Sequence, residues 1–194
     1  MVPRDACPCP GSGVVVEDFV YSGTLSIMTP YQPRYHVVQS DQLGMRPQSL
    51  REVLGQWSPG SEQCPKILYI NPTGANPTGD NNTCTVQSPR SPLSTTPLSP
   101  GTVLPLDRRR EILQLCSEYD LILLEDDPYF YLQFQEAEAR PPSLFSLDTE
   151  GRVIRFDSFS KILSSGIRLG FVTGPRPLIE RVVLHMQVPA LTNN

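Results

Sequence analysis

The sequence predicts an α/β fold in which a largely parallel sheet is buried on both faces by helices. Two observations carry that expectation. Six short β-rich runs recur along the 194 residues, and runs such as LILL are apolar without alternation, as strands covered on both sides read. Between them, apolar residues fall at i, i+3, i+4 and i+7, the spacing of amphipathic helices, and strands alternating with helices give a layered α/β domain.

The predicted strands are, in order, Val14–Val16, Tyr35–Val38, Ile67–Ile70, Leu121–Leu124, Val153–Phe156 and Leu169–Thr173. The first predicted helix carries Leu50, Val53, Leu54 and Trp57 on one face. The second carries Ile112, Leu115, Cys116 and Tyr119, with Asp107 as its N-cap. The third carries Ile179, Val182, Val183 and Met186, after Pro175 and Pro177. Residues 80–105, DNNTCTVQSPRSPLSTTPLSPGTVLP, interrupt the alternation. Ser, Thr and Pro dominate there without periodicity, so a disordered surface insert is expected.

Composition removes several classes. With 39% hydrophobic and 19% charged residues the chain reads as globular, and its net charge of −4 argues against a nucleic-acid partner. Arg108–Arg110, its one basic cluster, opens a helical pattern and reads as a solvated first turn. No apolar run approaches the roughly 20 residues of a membrane span. The N-terminus MVPRDACPCPGSG has neither a secretory h-region nor an import signal, so a cytoplasmic location is expected for the chain as written. Five scattered cysteines (Cys7, Cys9, Cys64, Cys84, Cys116) and two distant histidines (His36, His185) make neither a disulfide framework nor a metal site.

In open α/β sheets ligands bind beyond the carboxyl ends of the strands. After the first predicted strand comes EDFVYSG, with Tyr21; after the third, NPTGANPTG; after the fourth, EDDPYFY; after the fifth, DSFSK. Taken singly each has a bland reading: turn chemistry for Asn-Pro-Thr-Gly, a solvated strand end for Glu125–Asp127, a core ring for Tyr21, a surface amine for Lys161. Together they supply an aromatic ring, an amide, a carboxylate with a phenol, and an amine beside hydroxyls. Pyridoxal phosphate needs that set: an amine for its aldehyde, a carboxylate for its ring nitrogen, a donor for its phenolic oxygen, and hydroxyls with an arginine for its phosphate. No G-x-G-x-x-G fingerprint or P-loop points to a nucleotide instead.

NPTG, EDDPYFY and SFSK followed by GIRLG resemble the signature of the fold-type-I, class I/II aminotransferases. EDDPYFYLQF, GRVIRFDSFSKILSSGIRLGF and TGPRPLIERVVLHMQV are similar to the kynurenine/α-aminoadipate branch of that family. The resemblance implies that residues 13–189 are part of the large pyridoxal-phosphate domain. It implies Lys161 as the covalent anchor and proton carrier, Asp126 as partner of the ring nitrogen, and Asn76 and Tyr129 as partners of the phenolic oxygen. Tyr21 would stack on the ring, while Ser158, Ser160 and Arg168 would hold the phosphate. The duplicated motif offers Asn71 or Asn76. The family pattern selects Asn76, which leaves Asn71 as a turn residue.

Two parts of the family pattern are expected to be missing: an upstream phosphate-binding turn, and a downstream small domain with the arginine that grips the substrate carboxylate. Without the upstream strand, Leu169–Thr173 is expected to be an unpaired edge. The implied function is amino transfer from an amino acid, of the kynurenine or α-aminoadipate kind, to a 2-oxo acid such as 2-oxoglutarate. The alternative is an incomplete chain that binds the cofactor weakly or pairs with a full-length subunit. The resemblance also implies homodimers, and a mitochondrial location for the relatives in that branch.

Overall fold

The chain is described by a computed structural model covering residues 11–74, 84–85, 103–133 and 140–192, with 84–85 and 188–192 as backbone alone. In chain order its elements are β1 (Gly13–Glu17), β2 (Phe19–Val20), α1 (Ser22–Met28), β3 (Arg34–Val38), β4 (Ser40–Asp41), β5 (Gly44–Met45), α2 (Pro47–Leu54) and β6 (Ile67–Ile70). They continue with β7 (Cys84–Thr85), α3 (Leu106–Glu118), β8 (Ile122–Asp126), α4 (Leu144–Leu147), β9 (Val153–Ser158), β10 (Gly170–Thr173) and α5 (Arg176–Thr192).

The six predicted strands form one sheet in the order β10-β9-β8-β6-β1-β3. All neighbours run parallel except β10, which pairs antiparallel with β9. Because side chains alternate across a strand, the strands other than β10 feed cores on both faces of the sheet. Val15, Leu68, Ile70, Leu123 and Val153 point to one face, packed with Leu50 and Leu54 of α2, Ile112 and Leu115 of α3, and Leu144 of α4. On the other face Val14, Val16 and Tyr69 meet Leu25 and Met28 of α1, while Ile122 and Ile154 meet Leu178 of α5. Each fully buried aliphatic side chain contributes about 1.5–3 kcal/mol. The predicted architecture, helices on both faces of a mostly parallel sheet, is present.

Several boundaries differ from the reading of the sequence. Helix α2 stops at Leu54, and Gly55 caps it by donating to the Arg51 carbonyl at 2.8 Å. Trp57 therefore lies beyond the helix, packed on the core with its ring 4.8 Å from His36. Asp107 is not the cap of α3. Pro105 occupies that position, and Asp107 sits in the first turn, where its charge complements the helix dipole. The arginines that follow are not a solvated turn either. Arg108 grips both Asp41 oxygens at 2.8 Å, and Arg109 is fully buried, donating to the Leu104 and Pro142 carbonyls. Only Arg110 faces solvent.

Helix α5 packs through Leu178, with Ile179 and Val182 half-buried, and leaves Val183 and Met186 exposed. Strand β10 is an edge, as expected, and Leu169, Phe171 and Val172 stand open along it. The stretch 80–105 is not all insert. Cys84–Thr85 pairs with β2, Val103 bridges Thr73, and Leu104 is a core residue whose amide donates to the Pro72 carbonyl at 2.8 Å. Residues 80–83 and 86–102, with Asn76, lie outside the described residues, as do Cys7 and Cys9. Among the described residues no helix is long and apolar enough to cross a membrane.

Candidate functional site

Parallel pairing brings the carboxyl ends of β1, β6, β8 and β9 to one edge of the sheet, so Glu17, Asn71, Asp126 and Ser158 end on the same side. Lys66, the chain's other lysine, precedes β6 at the opposite edge. The site residues fall into three groups along that carboxyl edge.

Asp126 closes β8 and accepts the Tyr69 hydroxyl at 2.5 Å. The same hydroxyl lies 3.1 Å from Thr24 Oγ1 in α1, which ties the strand end to the helix headed by Tyr21. Burial pushes the Asp126 carboxyl above its ordinary value, and the Tyr69 bond pulls against it. Burial and the neighbouring Asp126 charge push the Tyr69 phenol up as well. Tyr21 is 54% exposed, with its ring folded over Gly23.

Past the Asp127-Pro128 turn, Tyr129 presents its ring to two neighbours. Gly74 lies against it with φ +68°, where an added Cβ would stand 3.4 Å from the ring. The Lys161 ammonium lies 5.5 Å from the ring centroid.

Beyond β9 the chain turns through Phe159–Leu169. Ser158 Oγ accepts the Ser160 amide at 3.2 Å, and Arg168 Nη1 donates to Ser160 Oγ at 3.1 Å and to the Ser165 carbonyl at 3.3 Å. The β9–β10 pairing closes this loop, with Gly170 opposite Ser158. Only glycine fits there, since a Cβ on Gly170 would stand 2.5 Å from the Asp157 carbonyl oxygen. The structure thus joins Ser158, Ser160 and Arg168 in one cluster and Tyr129 with Lys161 in another. Asp126 bonds through Tyr69 toward α1. Asn76 lies outside the described residues.

A buried charge network behind these groups escaped the sequence reading. Glu125 and Asp127 are fully buried, not a solvated strand end. Arg155, under the Phe130 ring, reaches Glu125 at 3.2 Å, Asp127 at 3.4 Å and Asp157 at 2.8 Å. Glu125 also accepts the Leu144 and Phe145 amides at 2.8 and 2.9 Å, and Arg109 stands 3.9 Å away. The signal was in the text: an arginine inside the apolar run VIRFD must find buried acids.

The open, mostly parallel sheet is that of an α/β domain, and it carries an amine, a phenol, a carboxylate and an arginine–serine cluster at its carboxyl edge. Comparison with known proteins gives the family. The family described as aminotransferase class I and II matches residues 89–188, more than half of the chain, and the chain belongs to it. It is 42% identical over 187 residues to kynurenine/alpha-aminoadipate aminotransferase, mitochondrial, of Bos taurus, covering 94% of this chain and 38% of that protein. The kynurenine aminotransferase of Pyrococcus horikoshii, solved with PMP, kynurenine and kynurenic acid, superposes with a TM-score of 0.76 at 32% identity, covering 93% of this chain and 39% of that one. LysN of Thermus thermophilus, an alpha-aminoadipate aminotransferase solved with N-(5'-phosphopyridoxyl)-L-leucine, gives 0.74 at 31% identity, with 93% and 40% covered. The chain therefore spans about two fifths of the length of these relatives.

Proposed function

We propose that this chain carries the pyridoxal-phosphate site of an aminotransferase that moves an amino group from a kynurenine- or α-aminoadipate-like amino acid to a 2-oxo acid such as 2-oxoglutarate. The observation that carries the proposal is the Lys161 amine, held over the Tyr129 ring next to the Ser160–Arg168 pair. The donor set fits the cofactor. Asp126 is a carboxylate raised by burial, a cost that a cationic ring nitrogen beside it would offset. The Ser158, Ser160 and Arg168 cluster offers hydroxyls and a guanidinium to a phosphate dianion.

When bound, pyridoxal phosphate supplies an aldehyde that takes up an amino group and a ring that accepts electrons. Lys161 Nζ would be the amine that takes the aldehyde, with release of water, and, once freed, the base for the proton at the substrate's α-carbon. The Tyr129 hydroxyl, with Asn76 as the resemblance implies, would hold the phenolic oxygen, Tyr21 would cover the ring face, and Arg168 with the two serines would hold the phosphate.

The test is a half-reaction. The purified chain is loaded with pyridoxal phosphate, desalted, and given kynurenine or 2-aminoadipate. The proposal expects a visible band that depends on Lys161, bleaches with the amino acid and leaves the cofactor in its amine form. Identical behaviour of wild type and Lys161→Ala would refute it. A second reading, a chain that holds the cofactor without turnover and pairs with a longer subunit, draws on the open edge of β10, where Phe171 and Val172 are exposed. It predicts the Lys161-dependent band without bleaching.

A further inference from the structure

The first Asn-Pro-Thr-Gly, set aside above as a turn, is held more firmly than a turn requires. It leaves β6, and the two strands flanking β6 each send it a buried carboxyl. From β1, Glu17 Oε2 accepts the Asn71 amide at 3.1 Å. From the end of β8, Asp127 Oδ2 accepts the Thr73 hydroxyl at 3.2 Å. Between these bonds the Pro72 carbonyl accepts the Leu104 amide, so the segment is tied at three successive residues. Glu17, Thr73 and Asp127 are all buried, and Gly74, the next residue, packs on Tyr129 under the Lys161 ammonium.

We propose that Glu17 and Asp127 are positioning residues that clamp the Asn71–Gly74 segment from its two sides and through it set the Tyr129 ring beneath Lys161. The importance of that ring rests on the cofactor reading; the clamp itself does not.

The surroundings make the clamp respond to pH. Burial pushes Glu17 up to about 7, helped by Asp18, while the Asn71 and Met45 amides and the Ser40 hydroxyl pull it down. Burial pushes Asp127 up to about 7, helped by Glu125, while Arg155, the Thr73 hydroxyl and Arg109 pull it down. Asp157 shares Arg155 with Asp127, and the Tyr69 phenol feels the Glu17 charge. Since the bonds to Asn71 and Thr73 favour the ionised carboxyls, ionisation favours the clamped segment, and the grip tightens as pH rises through neutrality.

The experiment follows backbone amide shifts of the ¹⁵N-labelled full chain, without cofactor, between about pH 5 and 9. The Asn71, Gly74 and Tyr129 amides should titrate together with a midpoint near neutrality. Glu17→Gln should flatten Asn71, and Asp127→Asn or the shape-preserving Thr73→Val should flatten Gly74 and Tyr129. In parallel, the affinity of wild type for pyridoxal phosphate should rise about five- to tenfold through the same midpoint relative to the Glu17→Gln/Asp127→Asn double variant, the gain of a hydrogen bond to a charged over a neutral acceptor. Amides that do not move near neutrality, or that move alike in wild type and in Thr73→Val and Glu17→Gln, overturn the clamp. So does a Lys161-dependent band whose affinity profile is the same in the double variant. Absence of any such band would instead fail the cofactor reading, with the amide titration still deciding the clamp.

Discussion

On the β8 side of the site the charged groups are buried and tied to one another, whereas on the β9–β10 side Lys161 and Arg168 stand in solvent. Glu125, Asp127 and Arg155 are part of the core in all but chemistry. Lys161, Ser160 and Arg168 hang on a loop closed by β9–β10 pairing and oriented by local bonds. The difference assigns costs. Changes on the buried wall should damage the fold before they damage chemistry, and changes to the exposed side chains Lys161 and Arg168 of the open wall should leave the fold intact and remove binding.

The largest effect should come from Glu125→Ala. It deprives two amides of their acceptor and takes from Arg155 one of its three carboxylates, leaving a cavity beside it, at a cost of about 3–5 kcal/mol. Urea unfolding of wild type and variant measures it, and a loss below about 1 kcal/mol would mean the wall is not held by charge.

Next is the pH dependence. Glu17 and Asp127 bind protons more tightly folded than unfolded, so their contribution to stability is complete below the ordinary carboxylate range. It falls as pH rises toward about 7 and is level above that. For Glu17 the rise from 4.5 to about 7 corresponds to an upper bound of about 3 kcal/mol. The urea midpoint should drop between pH 5 and pH 8, and less so in Glu17→Gln; equal drops in both would break this part of the account.

Gly170→Ala comes third. Its methyl group would meet the Asp157 carbonyl, forcing β9 and β10 apart for about 1–3 kcal/mol and loosening the Ser158–Arg168 loop. Thermal unfolding reads the cost. The smallest stability effect belongs to Arg168→Ala, within about 0.5 kcal/mol, yet its affinity for pyridoxal phosphate should fall at least about tenfold. Loss of stability without loss of affinity would reverse the contrast between the walls.

The sheet and the open wall were legible in the sequence for the same reason. The strands are continuous apolar runs, and SFSK with GIRLG packs its functional residues into one loop whose local bonds keep them together. The buried wall was not, because its partners are far apart in the chain. Arg155 meets Glu125 and Asp127 through strand register, and Arg109 reaches Pro142 through helix packing. Short elements were missed too. Helix α1 buries no residue completely and leaves no strong periodic trace, and Leu104, at the end of a Pro-rich stretch, enters the core where Val103 pairs with Thr73 and its own amide reaches the Pro72 carbonyl.

The chain has two lysines, one at each edge of the sheet, and that permits the most direct test of the account. The chain is incubated with pyridoxal phosphate, reduced with borohydride, digested and mapped by mass spectrometry. The account predicts the phosphopyridoxyl mass on Lys161 and little on Lys66, with Arg168→Ala reducing the label at Lys161. Comparable labelling of the two lysines, or label on Lys66 alone, would contradict it.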